Sequence, residues 1–297
     1  MSFFQEYIYY FSKASIDFFY YVLNEITFNT SVWYVNYFWW LIGLSILVWS
    51  MELLFPWRKS QPAFRKDFWL DLFYMFFNFY IFKVILFIGF SVVVEKLFLT
   101  IIGNKETFQL FNAKELNPIL QLVIFFILVD FISWITHIFL HKNKFLWQFH
   151  KVHHSVEQMG FASHFRFHWM ETFIYTPAKY IVLLLIGNFE PNQAFIVYYF
   201  TIAIGHLNHA NIRLNYGVFK YIFNNPQMHV WHHSKDLPSA KKHGVNFGIS
   251  LSIWDYIFKT NYVPYDGGQN KLGFNNVEFF PKSFFPQILY GFKKTKD

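Results

Sequence analysis

The 297-residue sequence contains no cysteine. This absence excludes a disulfide framework, a thiolate metal site and an iron–sulfur cluster. Charged residues are also scarce, because they make up 14% of the chain, whereas an ordinary soluble domain carries about 25%. A chain with so little charge is not expected to fold as a soluble domain.

Hydrophobic residues take the place of the missing charge. They form 55% of the sequence, and the 43 Phe, 19 Tyr and 11 Trp bring the aromatic share to 25%. So many aromatic side chains have to face something other than water, and a lipid bilayer is the natural partner. The net charge of +7 comes from basic residues that flank apolar runs, which fits anionic lipid headgroups. With no recognition fold and no basic stripe, a nucleic-acid partner is not expected.

Five apolar runs predict an all-α integral membrane protein. We expect about four to five transmembrane or hairpin helices and a helical, histidine-rich cytoplasmic cap. Three of the runs are long enough to cross a hydrocarbon core of about 30 Å; they cover residues 32–55, 69–94 and 118–140. Asp71 and Lys83 interrupt the second of them and are expected to face protein, water or an interface. The two shorter runs, 171–187 and 193–206, predict a tilted or partly buried hairpin.

Composition divides the chain into three regions. Residues 1–31 form an aromatic segment that is expected to lie in the membrane interface and lacks the pattern of a signal peptide. Residues 32–210 hold the membrane helices with the first histidine clusters, and residues 211–297 form a polar cytoplasmic cap with the last cluster. Basic residues concentrate in 56–67 and 141–166. Because basic loops stay in the cytoplasm, the histidine clusters are predicted to lie on the cytoplasmic side.

Histidine clusters carry the chemistry that the sequence predicts. Two H-x-x-H-H triplets accompany two pairs: His150, His153 and His154; His229, His232 and His233; His137 with His141; and His206 with His209. Side chains at i, i+3 and i+4 share one face of a helix, so each cluster aims its rings at one region. Adjacent histidines diverge by about 100° on a helix, so the neighbours within a triplet suit two different metals. All ten are predicted metal ligands, and all but the 206/209 pair are the predicted catalytic residues.

Other interpretations of these histidines remain open. A metal transporter also carries histidines in a membrane, although its ligands are expected near mid-bilayer along a path. A membrane zinc hydrolase is typified by H-E-x-x-H, whereas Ile138 follows His137 here and neither triplet contains a carboxylate. Histidines that bind no metal and only fill polar positions are the third alternative.

The order of these motifs resembles the fatty acid hydroxylase/sterol desaturase superfamily, and in particular its alkylglycerol monooxygenase-like members. The resemblance covers about residues 120–262. It rests on H-x-x-x-H at 137–141, FHKVHHS at 149–155, R-F-H-x-x-E at 166–171, H-L-N-H at 206–209, NPQMHVWHHS at 225–234, N-F-G at 246–248 and W-D at 254–255. The chain has H-x-x-H at 206–209, where some members have H-x-x-x-H.

The resemblance implies an oxidoreductase of the membrane monooxygenase type. Its cofactor is expected to be a pair of histidine-bound iron ions, which zinc can replace in purified protein. We expect the two metals to lie within about 7 Å of each other. The substrates are expected to be O2 and a lipid or sterol-like molecule from the membrane. Electrons are expected from an external reductase or cytochrome, because the sequence carries no flavin motif or cysteine cluster.

A few further polar residues have candidate roles. His164, His168 and His243 are candidates for the surroundings of the metals or for ordinary polar positions. Asp130 precedes His137 by two helical turns and suits either a hydrogen bond to a ligand ring or a plain buried contact. Asp255, and Arg166 paired with Glu171, are predicted to brace the cap.

Overall fold

The computed structural model describes residues 3–30, 32–78, 82, 109–187, 189 and 191–292. The described chain is mostly helical, as predicted. Its helices are α1 (Phe3–Ile26), α2 (Tyr37–Leu54), α3 (Phe68–Phe76), α4 (Pro118–Lys142), α5 (Lys144–His154), α6 (Trp169–Leu185), α7 (Pro191–His209), α8 (Pro226–His232), α9 (Ile253–Ile257) and α10 (Phe284–Ile288). Short 3₁₀ turns lie between them. Among the described residues, the strands are limited to a two-residue parallel pair, β1 (Phe111–Asn112) and β2 (Ile186–Gly187).

Two described helices are long and apolar enough to cross a membrane, namely α2 and α4. They correspond to the first and third predicted spans. The second predicted span begins with α3, and most of its remainder, 79–81 and 83–94, lies outside the described residues. The predicted hairpin forms α6 and α7, which are helices of 17 and 19 residues. Within the described ranges the structure thus supports two of the predicted membrane spans, and the total of four to five stays a prediction.

Asparagine side chains begin the helices that matter most for the site. Asn117 accepts a hydrogen bond from the N–H of Ile119 at the start of α4, and Asn225 accepts one from Met228 at the start of α8. In both helices proline follows at the first position, where a missing N–H costs nothing. Asn143 separates α4 from α5 and caps α5 through the N–H groups of residues 145 and 146. This one-residue break turns the chain so that α5 can fold back toward the end of α4.

The aromatic N-terminal segment forms helix α1, which is hydrogen-bonded to the start of α2. The carboxylate of Glu25, near the end of α1, is fully buried. It accepts hydrogen bonds from the backbone N–H groups of Tyr37 at 2.8 Å and Phe38 at 3.0 Å. Because these N–H groups lie at the start of α2, the carboxylate satisfies unpaired donors there and complements the positive end of the α2 dipole. The interfacial position of α1 stays a prediction.

Buried ion pairs connect α3 with the segment that follows the first histidine triplet. Asp71 of α3 is fully buried between the guanidinium groups of Arg65 and Arg166, and Asp67 approaches Arg166 at 3.2 Å. Asp71 therefore faces protein, as predicted. The predicted pairing of Arg166 with Glu171 is not formed, because each of the two side chains has a closer partner of its own.

The core lies where α2, α3 and α7 surround the 3₁₀ turn Phe161–Phe165. Its buried apolar residues form two adjoining clusters: Tyr37, Leu41, Met75, Phe165 and Ile202; and Val48, Phe68, Phe161, Ala162, Ala210 and Ile212. Gly205 lets α7 approach this turn closely, because a Cβ there would lie 2.2 Å from ring atoms of His164. This packing holds the end of α7 beside α5, where the histidines meet.

Candidate metal centre

Five buried histidines form the first of two groups. His137 and His141 lie one turn apart at the end of α4, His150 and His154 lie one turn apart on α5, and His232 reaches them from α8. One donor atom from each of the five lies within 4.8 Å of all the others. The group therefore combines three helices that are separated in the sequence by up to about a hundred residues.

Four buried histidines form the second group. They are His153 of α5, His209 at the end of α7, His229 of α8 and His233, the residue that ends α8. Their donor atoms also lie within 4.8 Å of one another. We name the two sets the five-histidine group and the four-histidine group.

Each H-x-x-H-H triplet is divided between the two groups. His153 belongs to the four-histidine group and its neighbour His154 to the five-histidine group, and His232 and His233 are divided in the same way. The division follows from the rotation of about 100° between successive residues of a helix. The groups adjoin, since the rings of His154 and His233 stack with their centroids 4.3 Å apart.

Hydrogen bonds determine which ring nitrogen is free in the five-histidine group. The Nδ1 of His137 lies 2.8 Å from the carbonyl oxygen of Phe247, and the Nδ1 of His150 lies 2.9 Å from a carboxylate oxygen of Glu171. Carbonyl and carboxylate oxygens accept hydrogen bonds, so the Nδ1 of each of these two rings carries the proton and its Nε2 presents a lone pair. The two Nε2 atoms nevertheless lie 3.1 Å apart. Two lone pairs this close repel each other unless they share a cation.

The same argument applies to the four-histidine group. The Nδ1 of His153 donates to the carbonyl of Arg166 at 3.0 Å, and the Nδ1 of His209 donates to the carbonyl of Gly205 at 2.8 Å. Their Nε2 atoms lie 3.3 Å apart, and the Nε2 of His229 lies 3.0 Å from that of His209. Nitrogens bound about 2.1 Å from one metal ion lie about 3.0 to 3.4 Å apart. These spacings fit a bound metal.

Several further ring nitrogens are buried without a hydrogen-bond partner among the described residues: Nε2 of His141, His154 and His232. In His232 the other nitrogen, Nδ1, donates to the carbonyl of Val245 at 2.8 Å. A buried nitrogen with no partner costs free energy, and a metal ion removes that cost. The donor set therefore fits two metal ions, one in each group.

Burial keeps the histidine rings of α5 and α8 in the neutral form that metals bind. It lowers the pKa of His150 to about 3 and the pKa of His153 to about 4. Burial, together with neighbouring rings, also lowers the pKa of His229 and His233. At neutral pH these rings carry no charge, so they offer a lone pair without first losing a proton.

His206 lies outside both groups, although its spacing from His209 suggested a shared role. Its Nε2 lies 3.1 Å from the hydroxyl of Ser45 on α2, and its Nδ1 donates to the carbonyl of Phe161 at 3.1 Å. Both nitrogens are thus engaged with the core. An i, i+3 spacing brings two side chains to one face, but it does not decide which of them the neighbouring helix binds.

The remaining histidines have three different surroundings. His164 packs against His206 and His209, with ring centroids 5.4 Å from each, and its buried Nδ1 has no partner among the described residues. His168 accepts a hydrogen bond from the N–H of Met170 and is buried. His243 is exposed. Only His164 among these three touches a histidine of the metal groups.

The carbonyl acceptors of the site were not predicted. Val245 and Phe247 flank Asn246, whose side chain bonds the carbonyls of Met228 and Tyr262 and so holds this stretch against α8. Any residue type has a carbonyl oxygen, so the sequence contains no signal for this role. The N-F-G motif at 246–248 marked the segment only through the family resemblance.

Glu171 is expected to strengthen the five-histidine group through His150. A carboxylate that accepts from the distal N–H of a ligand histidine orients the ring and raises its basicity, and losing it costs about 10- to 100-fold in metal affinity. We therefore expect Glu171→Gln to weaken metal retention by a factor in that range, measured by competition with a chelator. Glu157→Gln is the matched control, because Glu157 pairs with Lys66 and Lys282 near the surface. Equal retention in both variants would contradict the role of Glu171.

Asp255 is expected to hold both the cap and His137 in place. Its buried carboxylate accepts from the N–H groups of Phe247 and Gly248, from the indole of Trp134 and from the hydroxyl of Thr260. Asp255→Ala leaves these donors unpaired, so we expect a loss of more than about 3 kcal/mol in the free energy of unfolding. The loss is measured by thermal denaturation, with exposed Asp236→Ala as the control. A melting temperature equal to that of the control would refute this expectation.

Asp130 does not touch a histidine in the structure. Its carboxylate accepts hydrogen bonds from the backbone N–H groups of Ser250 and Leu251 and from the indole of Trp254. Of the two roles considered for Asp130, the structure thus supports the buried contact. This contact attaches the cap to α4 two turns before His137.

Comparison with known proteins shows what the part of the chain that carries the histidine groups is similar to. Residues 122–260, which include all nine histidines of the two groups, match the family model described as fatty acid hydroxylase. The chain is 30% identical to a protein named ornithine lipid hydroxylase OlsE from Rhizobium tropici, over 59% of this chain and 51% of the relative. It is 28% identical to a protein named alkylglycerol monooxygenase from Homo sapiens, over 52% of this chain and 33% of the relative. The predicted resemblance to the superfamily is confirmed.

The chain spans about half the length of the first relative and a third of the second. No solved structure matches it. The family and both relatives are named as hydroxylases or monooxygenases, which supports the predicted class of enzyme, an oxidoreductase.

Proposed function

We propose that this chain, whose residues 122–260 carry the fatty acid hydroxylase pattern, is a membrane-bound, O2-dependent lipid hydroxylase or desaturase. The observation that carries the proposal is the pair of adjoining histidine groups with converging lone pairs. A pair of bound iron ions supplies the O2-dependent oxidation of an unactivated C–H bond, which protein side chains do not perform by themselves. Zinc fits the same nitrogens but has no redox chemistry.

The residues of the chain hold and orient this centre. Carbonyl groups and the carboxylate of Glu171 accept from the Nδ1 atoms of His137, His150 and His153, which directs the Nε2 of these three rings inward. Burial of all nine rings keeps water away from the ligands. Because these acceptors already orient the rings, the rings need no rearrangement when metal binds. In this proposal, the eight histidines of the first pair and both triplets act in catalysis, with His209 completing the four-histidine group.

The proposed substrate is a lipid that reaches the centre from the membrane. Two observations support it: the relatives are named as enzymes of ornithine lipid and alkylglycerol, and α2 and α4 are candidate membrane spans. His137 lies about 28 Å from Pro118 along α4, close to the far side of a core of about 30 Å. A lipid that moves sideways within the bilayer can therefore approach the centre without leaving its leaflet. Electrons come from an external reductase or cytochrome.

We further propose that the centre lies on the cytoplasmic side. The support is the concentration of basic residues in 56–67 and 141–166, since basic loops remain in the cytoplasm. The division into an interfacial segment 1–31, a membrane region 32–210 and a cap 211–297 also stays a proposal. It is tested by labelling single cysteines from either side of sealed vesicles, because the natural chain has no cysteine.

The function is tested by lipid analysis with isotopically labelled O2. Iron-loaded protein in lipid vesicles, supplied with a reductant, is expected to form a lipid that gains one labelled oxygen atom, or one that loses two hydrogens. Metal uptake into the vesicles with unchanged lipids would instead indicate a transporter. Hydrolysed lipid formed with zinc and without O2 would indicate a zinc hydrolase. Either of these two results overturns the oxygenase proposal.

A further inference from the structure

The depth at which the cap contacts α4 follows from the rise of the helix. Asp130 and Trp134 lie 12 and 16 residues after Pro118, which corresponds to about 18 and 24 Å along the helix axis. If α4 crosses a hydrocarbon core of about 30 Å from Pro118 onward, both residues lie inside it, about 12 and 6 Å from its far boundary. Both residues bind the cap. The part of the cap that binds them therefore reaches the same depth.

The contacting part of the cap is the segment 250–258. The N–H groups of Ser250 and Leu251 donate to Asp130 at 2.9 and 3.3 Å, and the indole of Trp254 donates at 3.0 Å. The indole of Trp134 donates to Asp255 at 3.1 Å. Hydrogen bonds between buried groups at this depth have no water to compete with them.

Aromatic contacts reinforce the same alignment. The ring of Phe131 on α4 lies 4.7 Å from that of Trp254 and 6.3 Å from that of Phe258. The ring of Trp134 lies 4.8 Å from that of Phe258. Segment 250–258 thus contacts one face of α4 over at least one helical turn.

A second segment, 217–224, is bound to the first. The N–H of Asn224 donates to the carbonyl of Ser250, and the N–H of Ser252 donates to the carbonyl of Ile222, both at 2.9 Å. The hydroxyl of Ser252 also donates to the carbonyl of Lys220. The two segments therefore share one depth relative to α4.

The outer surface of these segments is apolar and exposed. Five of their side chains, which we name the apolar strip, are 43% to 75% exposed: Val218, Phe219, Ile222, Ile257 and Phe258. Contiguous exposed apolar residues of this kind mark a surface that contacts another partner. Lys220 and Lys259 border the strip, and the Nζ of Lys220 lies 5.1 Å from the ring centre of Tyr221. Long cationic side chains beside apolar ones are typical of membrane boundaries, because their charged ends extend to the headgroups.

We propose that the apolar strip lies in the acyl-chain region of the leaflet on the side of the metal centre. Its partner is the lipid bilayer, because the strip is held at a depth that α4 places inside the hydrocarbon core. The inference rests on the membrane crossing by α4 that belongs to the proposed function. It changes the predicted polar cytoplasmic cap 211–297 into an element that is partly embedded in the membrane.

The embedded strip has a consequence for the metal centre. Segment 217–224 leads directly into α8, which begins at Pro226 and carries His229 and His232. A strip anchored in the leaflet therefore holds the ligands of α8 at a constant depth. This places both histidine groups beside the lipid from which the substrate comes.

The depth of the strip is measured with spin labels on single cysteines. The natural chain has no cysteine, so Val218→Cys and Ile257→Cys each carry one label in the full-length, metal-loaded protein. Each variant is reconstituted in vesicles of phosphatidylcholine and phosphatidylglycerol. The expected result is a label that collides severalfold more often with O2, which concentrates in the bilayer, than with a water-soluble nickel chelate. Ala240→Cys in the exposed 3₁₀ turn Ser239–Lys241 is the control and is expected to show the reverse.

Two outcomes would overturn the proposal. In one, the labels at 218 and 257 meet the nickel chelate as often as the label at 240. In the other, the labels of two copies couple with each other, which would make the strip a contact between copies of this chain. Metal content is measured on the same samples. Labels that are exposed to water in a protein that binds two metals would refute the membrane position of the strip and leave the proposed function standing. Labels that are buried in the bilayer in a protein that binds no metal would refute the proposed function and leave the position of the strip standing.

Discussion

Alanine at His153 or His232 is expected to abolish lipid oxidation, and the two variants are expected to lose different metals. His153 belongs to the four-histidine group and His232 to the five-histidine group. Each substitution removes one donor from a buried site where water has little access to replace it. His153→Ala leaves three histidines in its group and His232→Ala leaves four, so the loss of metal is expected to be greater for His153→Ala. Elemental analysis of purified protein, together with the lipid assay, measures both effects.

The control for these variants is His243→Ala. His243 is exposed and lies outside both groups, so its replacement is expected to leave metal content and activity close to those of the natural protein. Activity in His153→Ala with two metals still bound would mean that this histidine is not a ligand. The assignment of the four-histidine group would then have to be withdrawn.

Removing the metals is expected to lower the melting temperature by roughly 8 to 16 °C. In the proposed centre, the metals connect α4, α5, α7 and α8 through the nine buried rings of the two groups. A ligand present at a thousandfold excess over its Kd stabilises the folded state by about 4 kcal/mol. Each kcal/mol corresponds to roughly 2 to 4 °C for a domain of this size. A chelator titration followed by thermal denaturation measures the shift, which is expected to be smaller in His153→Ala because that variant holds less metal from the start.

Zinc separates the structural effect of the metals from their chemical effect. Zinc added to the stripped protein is expected to restore the melting temperature, because it binds imidazole more tightly than ferrous iron does. It is not expected to restore lipid oxidation, because zinc has no redox chemistry. Ferrous iron is expected to restore both. Full activity with zinc alone would refute the oxygenase proposal and favour a hydrolase.

Local patterns in the sequence predicted the shared helical faces from which the two histidine groups are built. The spacing of His137 from His141, and of the residues within each triplet, indicated shared helical faces. The divergence of adjacent histidines indicated two metals. The structure has these helices, and it divides each triplet between two groups. Such predictions succeed because the positions of side chains along one helix depend only on its geometry.

The limits of sequence reasoning are clearest at His206 and Asp130. Their spacing relative to His209 and His137 suggested roles at the metals, yet His206 contacts Ser45 of α2 and Asp130 binds the backbone of the cap. No pattern near these two residues predicts their partners, which lie 161 residues away for His206 and 120 residues away for Asp130. The number of membrane spans stays a prediction for a related reason. Apolar content alone does not distinguish a helix that faces lipid from one that packs inside the protein.

The sequence by itself determined the mostly helical fold, the long apolar helix from residue 118, the aromatic N-terminal helix and the sets of histidines that share a helical face. Each of these follows from composition or from the period of one helix. The tertiary structure decided which sets meet, which nitrogen of each ring is free, and that His206 belongs to the core. It also decided that segments 217–224 and 250–258 pack at the level of Asp130. These features depend on contacts between residues far apart in the chain, and the hydrogen bonds involved often end on backbone carbonyls that every residue possesses.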